Sequence, residues 1–278
     1  MGRTVKLSSG QEMPIFGMGT WRMGENSRRK QAEIAALRRG MELGISLIDT
    51  AEMYGEGGAE EVVGEAVSSN RSKVFLVSKV YPHNASRQGV IAACDRTLKR
   101  LNTDYLNLYL LHWRSSVPFA ETLAAFQELQ QAGKIRDYGV SNFDTGDMKE
   151  AAGLEGGSAI ATNQILYNLS RRGVELDLLP WCKQRSIPVM AYSPIEQGRL
   201  LNNSALVKLA KQKEVSAAQI AIAWLLHQDN VIVIPKASKL DHIEQNYAAL
   251  DIALNAEDLE TLETAFPKPI RPVPLEML

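Results

Sequence analysis

The sequence predicts an α/β fold of the (β/α)8, or TIM-barrel, class with a β-hairpin ahead of the first barrel strand. Eight short apolar runs alternate with longer segments of helical period along the 278 residues, and each run with its helix takes about 35 residues. Several runs are apolar throughout, as expected for parallel strands that are buried on both faces. This arithmetic favours a closed barrel over a shorter doubly wound sheet.

The hairpin comes first in the chain. Residues 5–14 contain the turn sequence Ser-Ser-Gly at their centre, and a hairpin there can plug one end of a barrel. The barrel strands follow in order, and we expect them at residues 16–19, 46–49, 74–79, 105–111, 135–141, 160–164, 188–192 and 231–234.

The segments between the strands have the period of amphipathic helices. In the third of them Val90, Cys94 and Leu98 recur at four-residue steps, whereas Arg96 and Lys99 fall on other faces. We expect helices at residues 28–43, 59–68, 87–101, 119–132, 144–152, 175–185, 217–227 and 241–250. Two segments, 196–214 and 255–278, do not fit the repeat. No linker or low-complexity tract divides the chain, so one domain over residues 1–278 is expected.

The charge balance disfavours several classes of protein. Lys and Arg number 31 against 32 for Asp and Glu, so a net charge of −1 gives no global attraction to nucleic acid or anionic lipid. No apolar run approaches the ~18 residues that span a bilayer, and the opening MGRTVKLSSG lacks the apolar core of a signal peptide. We expect a cytoplasmic protein with a small-molecule partner, and a monomer because no exposed apolar stripe demands a partner.

Polar side chains end several of the predicted strands, where barrels carry their active sites. Asp49, Lys79 and His112 end three successive strands, and Tyr54 follows Asp49 by five positions in a loop that can fold back over the strand ends. Further strand ends carry Ser141, Asn142, Asn163, Gln164, Tyr192, Ser193 and Lys236.

Asp49, Tyr54, Lys79 and His112 together have the chemistry of a proton-transfer group. The pKa of a free phenol, near ~10, is too high for easy proton transfer at neutrality, and an ammonium such as Lys79 lowers it. We expect Asp49 to pair with that buried cation. His112 is expected to donate a hydrogen bond to the carbonyl oxygen of a substrate, which the Tyr54 hydroxyl also reaches. With a hydride donor, the group reduces a carbonyl.

Each residue also has a structural interpretation. Asp49 can cap a loop, Lys79 can pair structurally, and His112 can be a hydrogen-bonded core histidine. Their occurrence on successive strands favours the catalytic interpretation. A metal-dependent hydrolase or isomerase is disfavoured, because only Asp49 and His112 qualify as ligands and neither Cys94 nor Cys182 has a CxxC or His-spaced partner. We expect no metal and two reduced, packing thiols.

The sequence resembles the aldo-keto reductase family over nearly its whole length. The matching motifs are Gly-Met-Gly-Thr-Trp at 17–21, Leu-Ile-Asp-Thr-Ala-Glu-Met-Tyr-Gly at 47–55, Val-Ser-Lys-Val at 77–80, the segments 104–113 and 133–142, Asn-Gln at 163–164 and Ile-Pro-Lys at 234–236. The resemblance implies nicotinamide-dependent carbonyl reduction by a catalytic tetrad of Asp49, Tyr54, Lys79 and His112, with Tyr54 as general acid. The stretch Ala-Thr-Asn-Gln-Ile-Leu-Tyr-Asn-Leu is similar to a bacterial subgroup of methylglyoxal reductases.

The cofactor site does not follow the Rossmann or P-loop pattern, because no GxGxxG or GxxxxGK[ST] is present. Ser141, Asn142 and Gln164 can hydrogen-bond a carboxamide and Tyr192 can stack on a nicotinamide, although Asn163-Gln164 can also be ordinary loop caps. Residues 235–239 precede a predicted helix, and their lysines with the free helix N–H groups fit a 2′-phosphate.

In similar reductases this last segment holds the adenosine phosphate of NADPH. Lys236 matches the key cation, whereas His242 stands where many relatives have Arg and Ala237 where many have Ser. A neutral His lacks the guanidinium's permanent charge, so we expect NADPH to be preferred and NADH to be tolerated. The resemblance implies these cofactor-binding residues: Gly19, Thr20, Trp21, Asp49, Ser141, Asn142, Gln164, Tyr192, Ser193, Pro194, Lys236, Ala237, Ser238, Lys239, His242, Gln245 and Asn246.

An apolar cleft is expected on the substrate side, next to Tyr54 and His112. Its walls are Trp21, Met53, Tyr81 and Trp113, each adjacent to a strand-end motif. The leading hypothesis is an NADPH-dependent reductase of aldehydes, α-keto aldehydes or ketones. The alternative is a regulatory barrel that binds nicotinamide with little turnover. The proline-rich tail 267–278 either covers a pocket edge or is disordered.

Overall fold

The structure, a computed structural model, describes residues 3–278. A hairpin of β1 (Thr4–Lys6) and β2 (Glu12–Pro14) comes first, with its strands antiparallel. Leu7 and Met13 are buried among side chains of the barrel interior, and Gln11 donates to Asp137 near the start of a barrel strand at 2.7 Å. The hairpin therefore closes the end of the barrel where the strands begin, as predicted.

Within the described residues, eight parallel strands follow one another in chain order around the sheet. Parallel bridges from Phe16 to Val233 and from Gly19 to Lys236 join the last strand to the first, so the sheet closes and the predicted (β/α)8 barrel is confirmed. The barrel strands are β3 (Gly17–Gly19), β4 (Leu47–Asp49), β5 (Phe75–Val80), β6 (Leu106–Leu111), β7 (Ile135–Ser141), β8 (Asn163–Leu166), β9 (Val189–Tyr192) and β10 (Val231–Val233).

The sixth barrel strand departs most from its prediction. The prediction is 160–164, whereas β8 runs Asn163–Leu166. A 3-10 turn at Gly157–Ala159 precedes it, and residues 161 and 162 make single backbone bonds to β7 before regular pairing begins at Asn163.

Ten α-helices lie among residues 3–278, and eight of them correspond to predicted ones. They are α1 (Lys30–Glu42), α2 (Gly58–Val67), α3 (Arg87–Leu101), α4 (Phe119–Gln131), α5 (Thr145–Ala152), α6 (Leu178–Gln184), α7 (Ser204–Gln212), α8 (Ala217–Leu226), α9 (Leu240–Ala248) and α10 (Ala256–Ala265). The predicted start of α6 at residue 175 is wrong, because Gly173–Glu175 forms a separate 3-10 turn and Asp177 caps the helix. No helix described in this range is long and apolar enough to cross a membrane.

The two helices that were not predicted, α7 and α10, occupy the segments outside the repeat. Asn203 and Asn255 cap them, and Lys213 after α7 pairs with Asp258 of α10 at 2.7 Å. Cys94 and Cys182 are buried and free, and burial raises the pKa of each thiol to about 12. Both therefore pack in the core as unreactive thiols.

Candidate active site

A buried ion pair occupies the carboxyl ends of the adjacent strands β4 and β5. Lys79 Nζ donates to Asp49 Oδ2 at 2.8 Å and to the Thr50 carbonyl at 2.9 Å, and the two charged side chains are only 0% and 3% exposed. Gln164 Nε2 donates to the other carboxylate oxygen of Asp49 at 2.8 Å. Because both oxygens are engaged and desolvated, the pair is held in one geometry.

The phenol of Tyr54 lies against this pair, as the sequence predicts. Lys79 Nζ donates to Tyr54 Oη at 3.5 Å, and the Tyr54 ring meets the ring of His112 edge-on with centroids 5.6 Å apart. A one-turn loop makes the approach possible, because the Tyr54 N–H donates to the Ala51 carbonyl at 3.1 Å. The structure thus brings Asp49, Tyr54, Lys79 and His112 into one cluster.

The protonation states of this cluster differ from the prediction in one respect. Burial raises the pKa of Tyr54 well above its ordinary value, and the charge of Asp49 raises it further. The prediction of a net lowering by Lys79 is wrong, because burial of the phenol and the charge of Asp49 outweigh the stabilisation that the ammonium gives the phenolate. Tyr54 is therefore a protonated phenol at neutral pH.

His112 is neutral for a related reason. Burial lowers the pKa of its imidazole well below the ordinary value, and the charge of Lys79 lowers it further. Its Nδ1 is buried and has no hydrogen-bond partner among residues 3–278. A neutral imidazole carries one N–H, so His112 can donate a hydrogen bond but has no proton to give up as an acid.

The expected carboxamide-binding groups converge beside the cluster. Asn142 directly follows β7 with its backbone in the left-handed region (φ 58°). Its Nδ2 donates to the His112 carbonyl at 3.1 Å, and its Oδ1 accepts from the Tyr192 hydroxyl at 3.0 Å. Ser141 Oγ donates to the Gln164 carbonyl at 2.9 Å. Asn163, by contrast, caps the backbone of Phe143 at 2.7 Å. The left-handed backbone of Asn142 turns its side chain back towards the ends of the neighbouring strands, where its bonds to the His112 carbonyl and the Tyr192 hydroxyl form.

The last strand end lies beside the first because the barrel closes there. The Gly19 N–H donates to the Pro235 carbonyl at 3.0 Å, and a Cβ on Gly19 would come within 3.0 Å of the Ile234 carbonyl. The two backbone segments therefore pack directly against each other, with no room for a side chain at Gly19. Thr20 Oγ1 donates to the Asp49 carbonyl at 3.0 Å, which ties this corner to the ion pair. Ser193 (φ 52°) has a buried Oγ without a partner among the described residues.

The basic segment that follows carries Lys236, whose Nζ donates to Ser238 Oγ at 3.3 Å. Partial burial lowers the pKa of Lys236, the charges of Arg22 and Arg29 lower it further, and the charges of Glu33 and Glu25 oppose that shift. Sequence reasoning missed these two arginines, although barrel closure places the loop after β3 beside Lys236. The first turn of α9, which carries the exposed His242, has no side-chain cap, so its N–H groups remain available to an anion.

Aromatic and apolar side chains line the mouth of the cluster. Trp113 contacts His112 (centroids 5.0 Å apart) and, edge-on, Tyr81 (5.1 Å). Trp21 and Met53 are 38% and 37% exposed, which is unusual for residues of their size, and they lie next to Thr20 and Tyr54 in the chain. Of the four residues predicted to wall the cleft, Tyr81 and Trp113 therefore contact each other, and Trp21 and Met53 offer exposed apolar surface.

The tail is docked on the loop after β8. Arg172 donates to the Phe266 carbonyl at 2.6 Å, Arg171 pairs with Glu276, and Val273 packs on Gly173 so closely that a side chain there would clash. Arg171 also binds Glu196 of the loop after β9 at 2.7 Å.

The fold and site define a (β/α)8-barrel protein with a lysine–carboxylate pair and a phenol at its strand ends. The sequence pattern of the aldo/keto reductase family matches residues 15–266. The methylglyoxal reductase YeaE of Escherichia coli strain K12 is 51% identical over 281 aligned positions that cover 99% of both chains, and the glyoxal reductase of Bacillus subtilis strain 168 is 34% identical over 94% of this chain and 91% of its own. The chain belongs to the aldo/keto reductase family.

A solved structure is also closely similar. The aldo/keto reductase from Klebsiella pneumoniae, crystallised in complex with NADP and acetate, matches with a TM-score of 0.97 and 47% identity over 100% of both chains. This match and the family assignment confirm the resemblance on which the sequence prediction drew.

Proposed function

We propose that the protein is an NADPH-dependent reductase that converts aldehydes, α-keto aldehydes such as methylglyoxal, and ketones to alcohols. The observation that carries the proposal is the contact of the Tyr54 hydroxyl with the buried Lys79–Asp49 pair, with the His112 ring alongside. The names of the similar proteins, methylglyoxal and glyoxal reductases, support the substrate class.

The residues present fit a nicotinamide dinucleotide phosphate. The buried, unpartnered Ser193 Oγ and the close backbone approach at Gly19 leave a cradle suited to a pyrophosphate, while Lys236 and Ser238 suit the 2′-phosphate. Asn142, with its amide fixed at the end of β7, suits the carboxamide. When bound, the reduced nicotinamide supplies the hydride that the carbonyl carbon accepts.

The chain's own residues then handle the proton. Tyr54 holds a proton at neutral pH and delivers it to the carbonyl oxygen, and Lys79 stabilises the phenolate that remains. Asp49 holds the ammonium in place, and neutral His112 donates a hydrogen bond that polarises the carbonyl before transfer. The aromatic wall of Tyr81 and Trp113 keeps water away from the reacting group.

We further propose that the chain works as a single domain over residues 1–278, as a cytoplasmic monomer without a nucleic-acid partner. The near-neutral net charge of −1 supports the last point. Met1 and Gly2 of this domain lie outside the described residues.

The direct test is steady-state turnover of methylglyoxal and 4-nitrobenzaldehyde with NADPH and with NADH, followed by loss of the reduced cofactor's absorbance. We expect turnover with both aldehydes and the higher kcat/KM with NADPH, because Lys236, Arg22 and Arg29 attract the 2′-phosphate. NADPH binding without turnover would favour the regulatory alternative. A higher kcat/KM with NADH would contradict the cofactor preference.

The pH profile of carbonyl reduction is expected to be flat between about pH 6 and about pH 9. The raised pKa of Tyr54 keeps the acid protonated until the pH rises through that value, and the lowered pKa of His112 keeps the imidazole neutral down through the same range. The measurement is kcat/KM for reduction at constant ionic strength. A fall with a midpoint near neutrality would show instead that the ammonium of Lys79 outweighs burial and brings the pKa of Tyr54 into that range.

A further inference from the structure

Glu52 is a buried carboxylate between Asp49 and Tyr54 in the chain, and the mechanism above does not use it. The residue is only 9% exposed, and its side chain contacts the loop after β5. Oε1 accepts from the Tyr81 backbone N–H at 2.7 Å and from Asn84 Nδ2 at 2.8 Å. These bonds to an ionised acceptor are of the short, strong kind.

The backbone of Glu52 makes a separate connection. Its N–H donates to the Lys79 carbonyl at 3.3 Å, so the main chain holds the Tyr54 loop on the end of β5 while the side chain holds Tyr81. A guanidinium nitrogen of Arg96 in α3 lies 3.6 Å from Glu52 Oε2. The Arg96 side chain is half exposed, so it pairs with the Glu52 carboxylate from the solvent side. Truncation of the Glu52 side chain therefore removes its two hydrogen bonds to the Tyr81 loop and leaves the backbone bond of the Tyr54 loop in place.

The position of Tyr81 matters because its ring begins a chain of contacts that ends at the phenol. Tyr81 packs edge-on against Trp113, Trp113 contacts His112, and His112 contacts Tyr54. Tyr81 and Trp113 together form one wall of the cleft. In the proposed cleft, a carbonyl compound with an aromatic group would contact that wall, whereas a three-carbon compound such as methylglyoxal would be held mainly by the hydrogen-bonding groups of Tyr54 and His112.

We propose that Glu52 is a positioning residue that sets the specificity of the cleft, because it fixes the Tyr81–Trp113 wall relative to Tyr54 for carbonyl substrates with an aromatic group. The proposal rests on the reductase function proposed above. It assigns the effect to the side-chain bonds from Glu52 Oε1 to the Tyr81 loop.

The test compares Glu52→Ala with the wild-type full-length protein on two aldehydes. We expect KM for 4-nitrobenzaldehyde to rise about tenfold, the scale of one or two lost aromatic contacts, while KM and kcat for methylglyoxal change less than about threefold. Glu52→Gln keeps an oxygen that accepts from Tyr81 and is expected to restore the wild-type ratio of the two KM values. Glu52→Asp keeps the charge, but its side chain is too short to reach the Tyr81 N–H, so it should shift the ratio of the two KM values as Ala does. It replaces the Ala variant in the test if that variant does not fold.

The matched control is Glu60→Ala. Glu60 is also a buried carboxylate paired with an α3 arginine, but it bonds to Ser78 Oγ at 2.6 Å and to Arg100, away from the cleft. We expect this variant to lower Tm without changing the KM ratio. An unchanged ratio in Glu52→Ala and Glu52→Asp, or the same shift in Glu60→Ala, would overturn the assignment of Glu52. A wild-type protein that reduces neither aldehyde would instead remove the proposed function itself.

Discussion

Tyr54→Phe is expected to lower kcat for carbonyl reduction about 10³-fold, within the ~10²–10⁴ that a positioned general acid contributes. The substitution removes only the hydroxyl that lies 3.5 Å from Lys79 Nζ. The ring keeps its edge contact with His112 and its place 5.0 Å from the ammonium, so the packing of the cluster is preserved. The measurement is kcat with saturating NADPH and methylglyoxal.

The control for this variant is cofactor affinity. Tyr54 makes no hydrogen bond to Ser193, Lys236 or Ser238, so Kd for NADPH, measured by fluorescence titration, should stay within about threefold of wild type. Retention of most of the turnover would remove Tyr54 from the acid role. His112 is a poor substitute, because its lowered pKa leaves it without an acidic proton at neutral pH.

The fold was largely predictable because its strands are buried on both faces. Runs such as 108–111 and 231–233 are apolar throughout, and the helices between the strands are amphipathic, so each element carries its own signal. The helices α7 and α10 were not predicted, because they fall outside the alternation of strand and helix. No strand lies between α7 and α8, or between α9 and α10. The Asn residues that cap them, Asn203 and Asn255, were the available signals.

The candidate site was predictable where residues end strands and less so where loops meet. Asp49, Lys79 and His112 follow directly from strand order in a closed barrel. Glu52 was missed because its role depends on a distance between two loops, and a polar residue in a loop gives no signal of burial. The net shift of the Tyr54 pKa was predicted with the wrong sign, because the sequence shows a cation near the phenol but not how deeply the phenol is buried or how close Asp49 lies.

Lys79→Met is expected to destabilise the protein by about 3–5 kcal/mol, because it leaves the Asp49 carboxylate buried without its cation. It should also lower kcat by at least ~10²-fold, because the phenolate formed when Tyr54 gives up its proton has lost the adjacent ammonium. Urea unfolding gives the free energy, and turnover of methylglyoxal gives kcat. As a matched control, Lys183→Met breaks an exposed pair with Asp229 (2.9 Å) and should cost less than about 1 kcal/mol, with no change in kcat.

The double variant Asp49→Asn/Lys79→Met separates the two effects of the lysine. It removes both charges, and the Asn amide can still bond to Gln164, which donates to Asp49 at 2.8 Å in the wild type. Because a buried ion pair replaced by neutral groups is often close to neutral in stability, we expect most of the lost free energy of unfolding to return. Turnover should not return, since no cation faces the phenol. Recovery of kcat together with stability would mean that Lys79 only holds the fold at this corner, and that Tyr54 transfers its proton without help from the ammonium.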